Sequence, residues 1–313
     1  MTPFAFVFPG QGSQSVGMLD AWGEHPAVRA TLDEASAALG EDVARLIREG
    51  PEATLALTVN TQLVMLVAGV ANYRAWIAEG GPTPAMVAGH SLGEYSALVA
   101  AGAIDLADAV PLVRFRAQAM QEAVPVGTGA MMAILGLDGP DVQRACEQAA
   151  RDSGEVVSAA NFNDPKQTVI AGSQAGVEMA VTLLKQVGAK RAVPLAVSAP
   201  FHCALMKPAA DRLKERLATT PIRTPAIPVL NNIDVAVETD PDRIRDALYR
   251  QAYGPVRWVE LIGAMHSHGL NPILECGPGR VLSKMVKRIV PEDVASTTVL
   301  DPASLAEARG LLQ

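Results

Sequence analysis

The sequence is poor in residues that build extracellular or metal-bound scaffolds. Its 313 residues include three isolated cysteines, Cys146, Cys203 and Cys276, with no CxxC or Cys/His ligand spacing. That excludes a disulfide framework and a structural zinc, and it fits a reducing cytosol. Aromatic residues are only 4% of the chain, too few for stacked-base platforms, and 26 Lys+Arg against 33 Asp+Glu give a net charge of −7. A general nucleic-acid binder carries the opposite balance, so no nucleic-acid partner is expected. No stretch reaches about 18 uninterrupted apolar residues. The opening MTPFAFVFPGQG lacks a basic leader and is broken by Pro9 and Gly10, so neither secretion nor a membrane span is expected. What the chain does have is 49% apolar residues. At this length they support an extensive core, in one large domain or a large one with a smaller companion.

Short apolar runs alternate with longer helical stretches: FAFVF at 4 to 8, a helix near 27 to 39, an amphipathic helix in QLVMLVAGVANYRAWIAEG at 62 to 80, and AMVAG at 85 to 89. Strands separated by helices predict parallel β-α-β units. Beyond Gly127–Gly129 the rhythm changes to strand AMMAILG, helix 139 to 152, strands EVVSAANF and QTVIAG, helix 174 to 187 and strand KRAVPLAV. This β-α-β-β-α-β order predicts a ferredoxin-like subdomain at 128–196, inserted between the halves 1–127 and 197–313 of a larger α/β domain. IPVLNNI (227 to 233) and NPILECG (271 to 277) read as further buried strands with a helix between them.

Gly89-His90-Ser91-Leu92-Gly93 matches the G-x-S-x-G nucleophile elbow, flanked as that motif requires by a strand-like AMVAG and a helix-like EYSALVAAGAI. A helix start beside the serine offers free N–H groups and a positive dipole to an oxyanion; equally, Ser91 could simply cap that helix. A serine nucleophile needs a base. Of five histidines, His25 falls in a polar loop, His90 should point away from Ser91, and His266 and His268 lie near a helix end. His202 follows a strand and Pro200, so its side chain could project over the sheet's carboxyl edge. Surface or packing roles are the ordinary alternative for a loop histidine, and Cys203 beside it reads as packing.

From here the sequence resembles the malonyl-CoA:acyl carrier protein transacylases of fatty-acid synthesis. The resemblance rests on FPGQGSQ (8 to 14), AGHSLGEYSALVAAG (88 to 102), RFRAQAMQEAVPVGTGAM (114 to 131), NFNDPKQTVIAG (161 to 172), SAPFHCALMKPAA (198 to 210), PVLNNID (228 to 234), RQAYGPVRW (250 to 258) and ECGPGRVL (275 to 282), in that order over nearly the whole chain. The fold it implies is an α/β-hydrolase-like core with a parallel sheet and an inserted ferredoxin-like (βαββαβ) domain. The activity it implies is ping-pong transfer of malonyl from malonyl-CoA to the phosphopantetheine thiol of an acyl carrier protein, without metal or cofactor.

Carried over by position, the resemblance makes Ser91 the acylated nucleophile and His202 the base. The backbone N–H groups of Gln11 and Leu92 become the oxyanion hole, and the Gln251 carbonyl the histidine's anchor in place of a triad acid. A planar guanidinium can grip the substrate's free carboxylate bidentately. Arg116 occupies the family's position for this, while Arg114, two residues away on a predicted helix, points elsewhere and is expected to be solvated. Pro111 in that helix predicts a kink or a late start. Phe201 resembles the residue that selects malonyl over branched units. Basic clusters at Lys190/Arg191 and at Lys284, Lys287 and Arg288 resemble carrier-docking positions. The competing readings are a stand-alone acyltransferase of a polyketide pathway, an α/β-hydrolase thioesterase and a non-catalytic carrier-binding module.

Overall fold

The computed structural model describes residues 2–125 and 127–313. The chain opens with β1 (Ala5–Phe8), whose FAFVF run is buried on both faces, as the central strand of a parallel sheet must be. Helices α1 (Pro26–Leu39), α2 (Val43–Glu49), α3 (Glu52–Leu55) and α4 (Thr58–Ala78) follow. The expected amphipathic helix at 62 to 80 begins four residues earlier and is not amphipathic: every residue from Thr61 to Asn72 is buried. It runs through the core instead of lying on it, so its apolar residues surround the axis instead of forming a stripe.

Next come β2 (Met86–Gly89), α5 (Gly93–Ala100) and α6 (Leu106–Glu122). Helix α6 starts at Leu106, with Asp105 as N-cap, and continues through Pro111. The proline thus ends nothing, contrary to the expected late start.

A second sheet is built from β3 (Gly129–Leu135), α7 (Gly139–Ser153), β4 (Val157–Asp164), β5 (Gln167–Ser173), α8 (Gln174–Gln186) and β6 (Arg191–Pro194). Its order is β4-β5-β3-β6 with every pairing antiparallel, and it has its own core around Ile134, Val142, Ile170 and Leu184. Strand β4 starts two residues later than the EVVSAANF run suggests.

The chain then returns through α9 (Lys207–Thr219), β7 (Val229–Leu230), α10 (Pro241–Tyr253), α11 (Trp258–Ser267), β8 (Ile273–Cys276), α12 (Val281–Ile289), β9 (Thr298–Val299) and α13 (Pro302–Gly310). The expected strand at 227 to 233 is only two residues long, because Asn231 and Asn232 leave the sheet to bond elsewhere. Two helices, not one, separate it from β8. The first sheet is parallel throughout, in the order β7-β2-β1-β8-β9. The carboxyl ends of its strands face one way, so the loops after β1 and β2 share one edge, where ligands of such sheets bind. The protein is thus mixed α/β, a parallel sheet with a separate antiparallel one. Among the described residues no helix is long and apolar enough to cross a membrane.

Candidate active site

Strand β2 ends at Gly89 and turns sharply into α5. Ser91, at the apex, holds φ +52°. A Cβ on Gly89 would lie 1.8 Å from the Gly93 carbonyl carbon, and one on Gly93 would lie 2.0 Å from the Phe8 carbonyl oxygen. Both glycines are therefore demanded by backbone packed on backbone. Asn232 pins the turn from the side: its Oδ1 accepts the Ser91 N–H at 2.7 Å and its Nδ2 donates to the Gly89 carbonyl at 2.6 Å. Helix α5 has Leu92 as N-cap and no side-chain cap bond, so the Ser91 hydroxyl is not spent as a cap.

That hydroxyl meets His202 instead, with Oγ 2.7 Å from Nε2. On the other side of the ring, Nδ1 faces the carbonyl oxygens of Gln251 at 3.0 Å and Gly254 at 3.1 Å. Two acceptors there place the proton on Nδ1, so Nε2 is left to accept from the serine. Burial first, and the Arg116 charge second, push the imidazole pKa down to about 3, so the ring rests neutral. No carboxylate bonds to it among the described residues. His90 turns away from the serine to bond Asn163 Oδ1 at 2.8 Å and packs on Trp258.

Arg116 is buried, at 2% exposure, at the inner end of the site. Its Nη2 donates to Gln251 Oε1 at 3.1 Å and reaches Ser91 Oγ at 3.3 Å, Nη1 donates to Gln62 Oε1, and the guanidinium lies over the Tyr95 ring. Every direct partner is neutral, and Nε bonds to nothing among the described residues. Arg114 does point to another face, but it is not solvated. It donates to the Val59 carbonyl and Asn60 Oδ1 and pairs with Glu41 at 2.5 Å, because α6 packs beside the start of α4 and the α1–α2 turn.

A cleft opens over Ser91, lined by Gln11, Leu92, Arg116, Phe201 and His202 with Gln62, Asn161, Asn163 and Leu195 among its other walls. The N–H groups of Gln11 and Leu92 have no acceptor among the described residues. Gly10 allows the Gln11 loop to lie against the elbow, since a Cβ there would sit 2.6 Å from the His90 carbonyl oxygen.

None of the residues of the basic clusters lines this cleft. Lys190 and Arg191 are exposed at the start of β6, whereas Arg288 on α12 pairs with Asp164 of β4 at 2.9 Å, joining that helix to the antiparallel sheet. Cys203 is buried, its thiol directed at the Pro200 carbonyl and its pKa pushed up to about 11 by burial. Sequence reading passed over Asn232, Gln62 and Glu94. Glu94 is buried in the first turn of α5, and its pKa is raised to about 7 by burial. The one available signal was polarity inside otherwise apolar segments.

A serine with a neutral histidine, two unspent N–H groups and a buried cation can form an acyl ester, stabilise its oxyanion and hold an acid at the chain end. The family profile described as acyl transferase domain matches residues 5–303. The chain is 54% identical over 309 residues to the malonyl CoA-acyl carrier protein transacylase of Escherichia coli (strain K12), covering 98% of this chain and 99% of that one. The acyl-carrier-protein S-malonyltransferase structure from Burkholderia pseudomallei 1710b superposes with a TM-score of 0.96 at 59% identity, over 99% of this chain and 100% of that one. A malonyl-transacylase solved in complex with its type II PKS acyl-carrier protein superposes with a TM-score of 0.94 at 51% identity, over 98% and 99%. Matched from residue 5 to 303 and at more than half identity to named relatives, the chain belongs to the acyl transferase domain family, among its malonyl-CoA:acyl carrier protein transacylases.

Proposed function

We propose that the protein transfers malonyl from malonyl-CoA to the phosphopantetheine thiol of acyl carrier protein, through an ester on Ser91, and so supplies fatty-acid chain elongation in the cytoplasm. The observation that carries this reading is the placement of Arg116, buried and 3.3 Å from the nucleophilic oxygen with only neutral partners. A short acyl group on Ser91 bearing a second carboxylate would reach it; a neutral chain end would leave the cation without a counter-ion.

His202 Nε2 takes the Ser91 proton as Oγ attacks the thioester carbon. The N–H groups of Gln11 and Leu92 receive the oxyanion, and the C–S bond breaks with the proton passing to the CoA sulfur. The carrier's thiol then attacks the ester, with His202 again as base, and Ser91 recovers its proton. The Gln251 and Gly254 carbonyls keep Nδ1 protonated and stabilise the imidazolium that forms in each step, the work of a triad acid done by dipoles. Phe201 narrows the cleft against a branched acyl chain. The chemistry calls on no metal and no cofactor beyond the two substrates.

We read the antiparallel sheet as a ferredoxin-like subdomain at 128–196, and residues 1–127 and 197–313 as one α/β-hydrolase-like catalytic domain. The antiparallel order of the small sheet and its separate core support that division. Incubation with malonyl-CoA followed by intact-mass measurement, then addition of holo carrier protein, tests the function. A malonyl adduct that appears and is discharged onto the carrier is expected, and an adduct that only hydrolyses would mark a thioesterase. The 51% identity to the transacylase solved with a type II PKS carrier favours a polyketide carrier as the second reading, so both carrier classes belong in that assay.

A further inference from the structure

A second layer of the site has its own electrostatic logic. The Gln251 side chain lies between two opposite charges. Its Nε2 donates to Glu94 Oε2 at 3.0 Å and to the Ser91 carbonyl at 3.0 Å, while its Oε1 accepts from Arg116 Nη2 at 3.1 Å. An amide so placed has its NH₂ toward the anion and its oxygen toward the cation; the reverse orientation would put NH₂ against guanidinium and oxygen against both carboxylate and carbonyl. The same Glu94 Oε2 accepts the Asn232 N–H at 2.9 Å, and Asn232 is the residue that pins the elbow on both sides of Ser91. One carboxylate, 2% exposed, thereby touches both the support of the nucleophile and the support of the carboxylate-binding arginine.

We propose that Glu94 is a positioning residue for acylation: its anion sets the Gln251 amide that orients Arg116, and its protonation turns malonyl recognition down. This deepens the function proposed above and rests on its reading of Ser91 and Arg116. Glu94 and Arg116 stabilise each other's charge across the amide, so the arginine's missing direct counter-ion is supplied from behind. When protonated, with the proton on Oε1, Glu94 keeps Oε2 as an acceptor for the Gln251 NH₂ and the Asn232 N–H but loses its charge, so these bonds weaken from charge-assisted to neutral and the counter-charge behind Arg116 disappears. The Gln251 amide, and with it Arg116, is then held less firmly in place.

Glu94 can titrate in the ordinary pH range because burial raises its pKa to about 7. The other charged or titratable groups facing it are Arg116 from α6, Tyr95 from its own helix, and Asp234 and Glu238 from the segment after β7. Tyr95 is pushed up to about 12; Asp234 and Glu238 are paired with Arg250 and Arg243, and Asp234 is held below the usual carboxylate range. His202 titrates at about 3, and burial lowers His90 from its ordinary value.

Single-turnover acylation by malonyl-CoA and by acetyl-CoA, followed by intact mass between about pH 5.5 and 8.5, tests the proposal in wild type, Glu94→Gln and Glu94→Asp. Wild-type malonyl acylation should fall on the acid side, with acetyl acylation much flatter. Glu94→Gln should slow malonyl acylation about 10- to 100-fold, slow acetyl acylation less, and erase the acid limb. Glu94→Asp should keep an acid limb at a shifted position. An unchanged malonyl rate and limb in Glu94→Gln, or equal slowing with both donors, would overturn the proposal, the latter marking a purely structural role. Should Glu94→Gln fail to fold, an acid limb in Glu94→Asp superimposable on wild type overturns it equally. Arg116→Ala runs alongside: if that variant keeps its preference for malonyl, the reading of Arg116 fails in its own right, whatever Glu94 does.

Discussion

Ser91 Oγ and His202 Nε2 stand 2.7 Å apart, and both residues hold the left-handed backbone conformation, at φ +52° and +62°. Two non-glycine residues at positive φ cost of order 1–3 kcal/mol each unless the surroundings enforce them. Here Asn232 enforces the first and the Gln251 and Gly254 carbonyls the second. The strain is spent on bringing a strand-end hydroxyl and a loop imidazole into one hydrogen bond.

Ser91→Ala should therefore abolish the malonyl adduct, and His202→Ala should slow acylation and discharge alike by about 10²–10⁴-fold, since one base serves both steps. Single-turnover mass kinetics of each half-reaction check this. His202 also makes a prediction about stability. Its folded pKa, about 3, lies below the ordinary value of 6.5, so the unfolded chain binds the extra proton. The stability associated with the neutral ring is whole above about pH 6.5 and is lost as pH falls toward 3. Denaturant unfolding of His202→Gln at pH 7 and pH 4 should show a smaller acid loss than wild type.

Arg116→Ala should move selectivity from malonyl toward acetyl, removing an ionic contact of roughly 2–5 kcal/mol in a desolvated site. Competition between the two CoA thioesters measures it, and an unchanged ratio would remove Arg116 from substrate recognition. Arg114→Ala is the contrasting case. With its bonds to Val59, Asn60 and Glu41, it should lose about 1–3 kcal/mol of stability and none of the preference.

Gly93→Ala tests the elbow by sterics alone. Its methyl would meet the Phe8 carbonyl oxygen at 2.0 Å, on the central strand, where neither partner can retreat. A loss above about 4 kcal/mol, read as a fallen melting temperature or insoluble protein, is expected. A variant that melts like wild type would show that the helix can shift along the strand.

The contrast between Gly93 and Glu94 shows what the sequence could reveal. Ser91, Gly89 and Gly93 are legible because a sharp turn leaves a spaced pattern of small residues, and the β-α-β-β-α-β order is legible because each element carries its own period. Glu94 and Asn232 are not, since a buried polar residue looks the same in sequence as an exposed one until the chain is folded around it. The full burial of α4 was hidden for a related reason. Its polar residues Gln62 and Asn72 suggest a wet face, yet Gln62 turns to Arg116 and Asn72 to the Trp22 indole at 2.7 Å. Arg114 was misjudged because its partners come from segments 54 to 73 residues away.

The protein is net −7 and acyl carrier proteins are characteristically acidic, so only a local basic patch can steer the partner in. Lys190 and Arg191 are exposed and begin β6, beside the exposed apolar side chains of Val193 and Leu195, and Leu195 lines the cleft. A carrier seated on these residues would therefore lie at the mouth through which its phosphopantetheine must pass. Lys287 is exposed as well, but Arg288 is tied to Asp164, a residue only 8% exposed at its side chain, and reversing its charge would strand that carboxylate. Charge reversal at Lys190 and Arg191, and separately at Lys287, should raise the KM for the carrier and weaken its salt dependence while leaving self-acylation by malonyl-CoA intact. Arg288→Glu should in addition lower the melting temperature. If the first two variants leave the carrier KM unchanged, docking uses another face; if they slow self-acylation and transfer equally, the lesion lies in the catalytic centre and not in the approach to it.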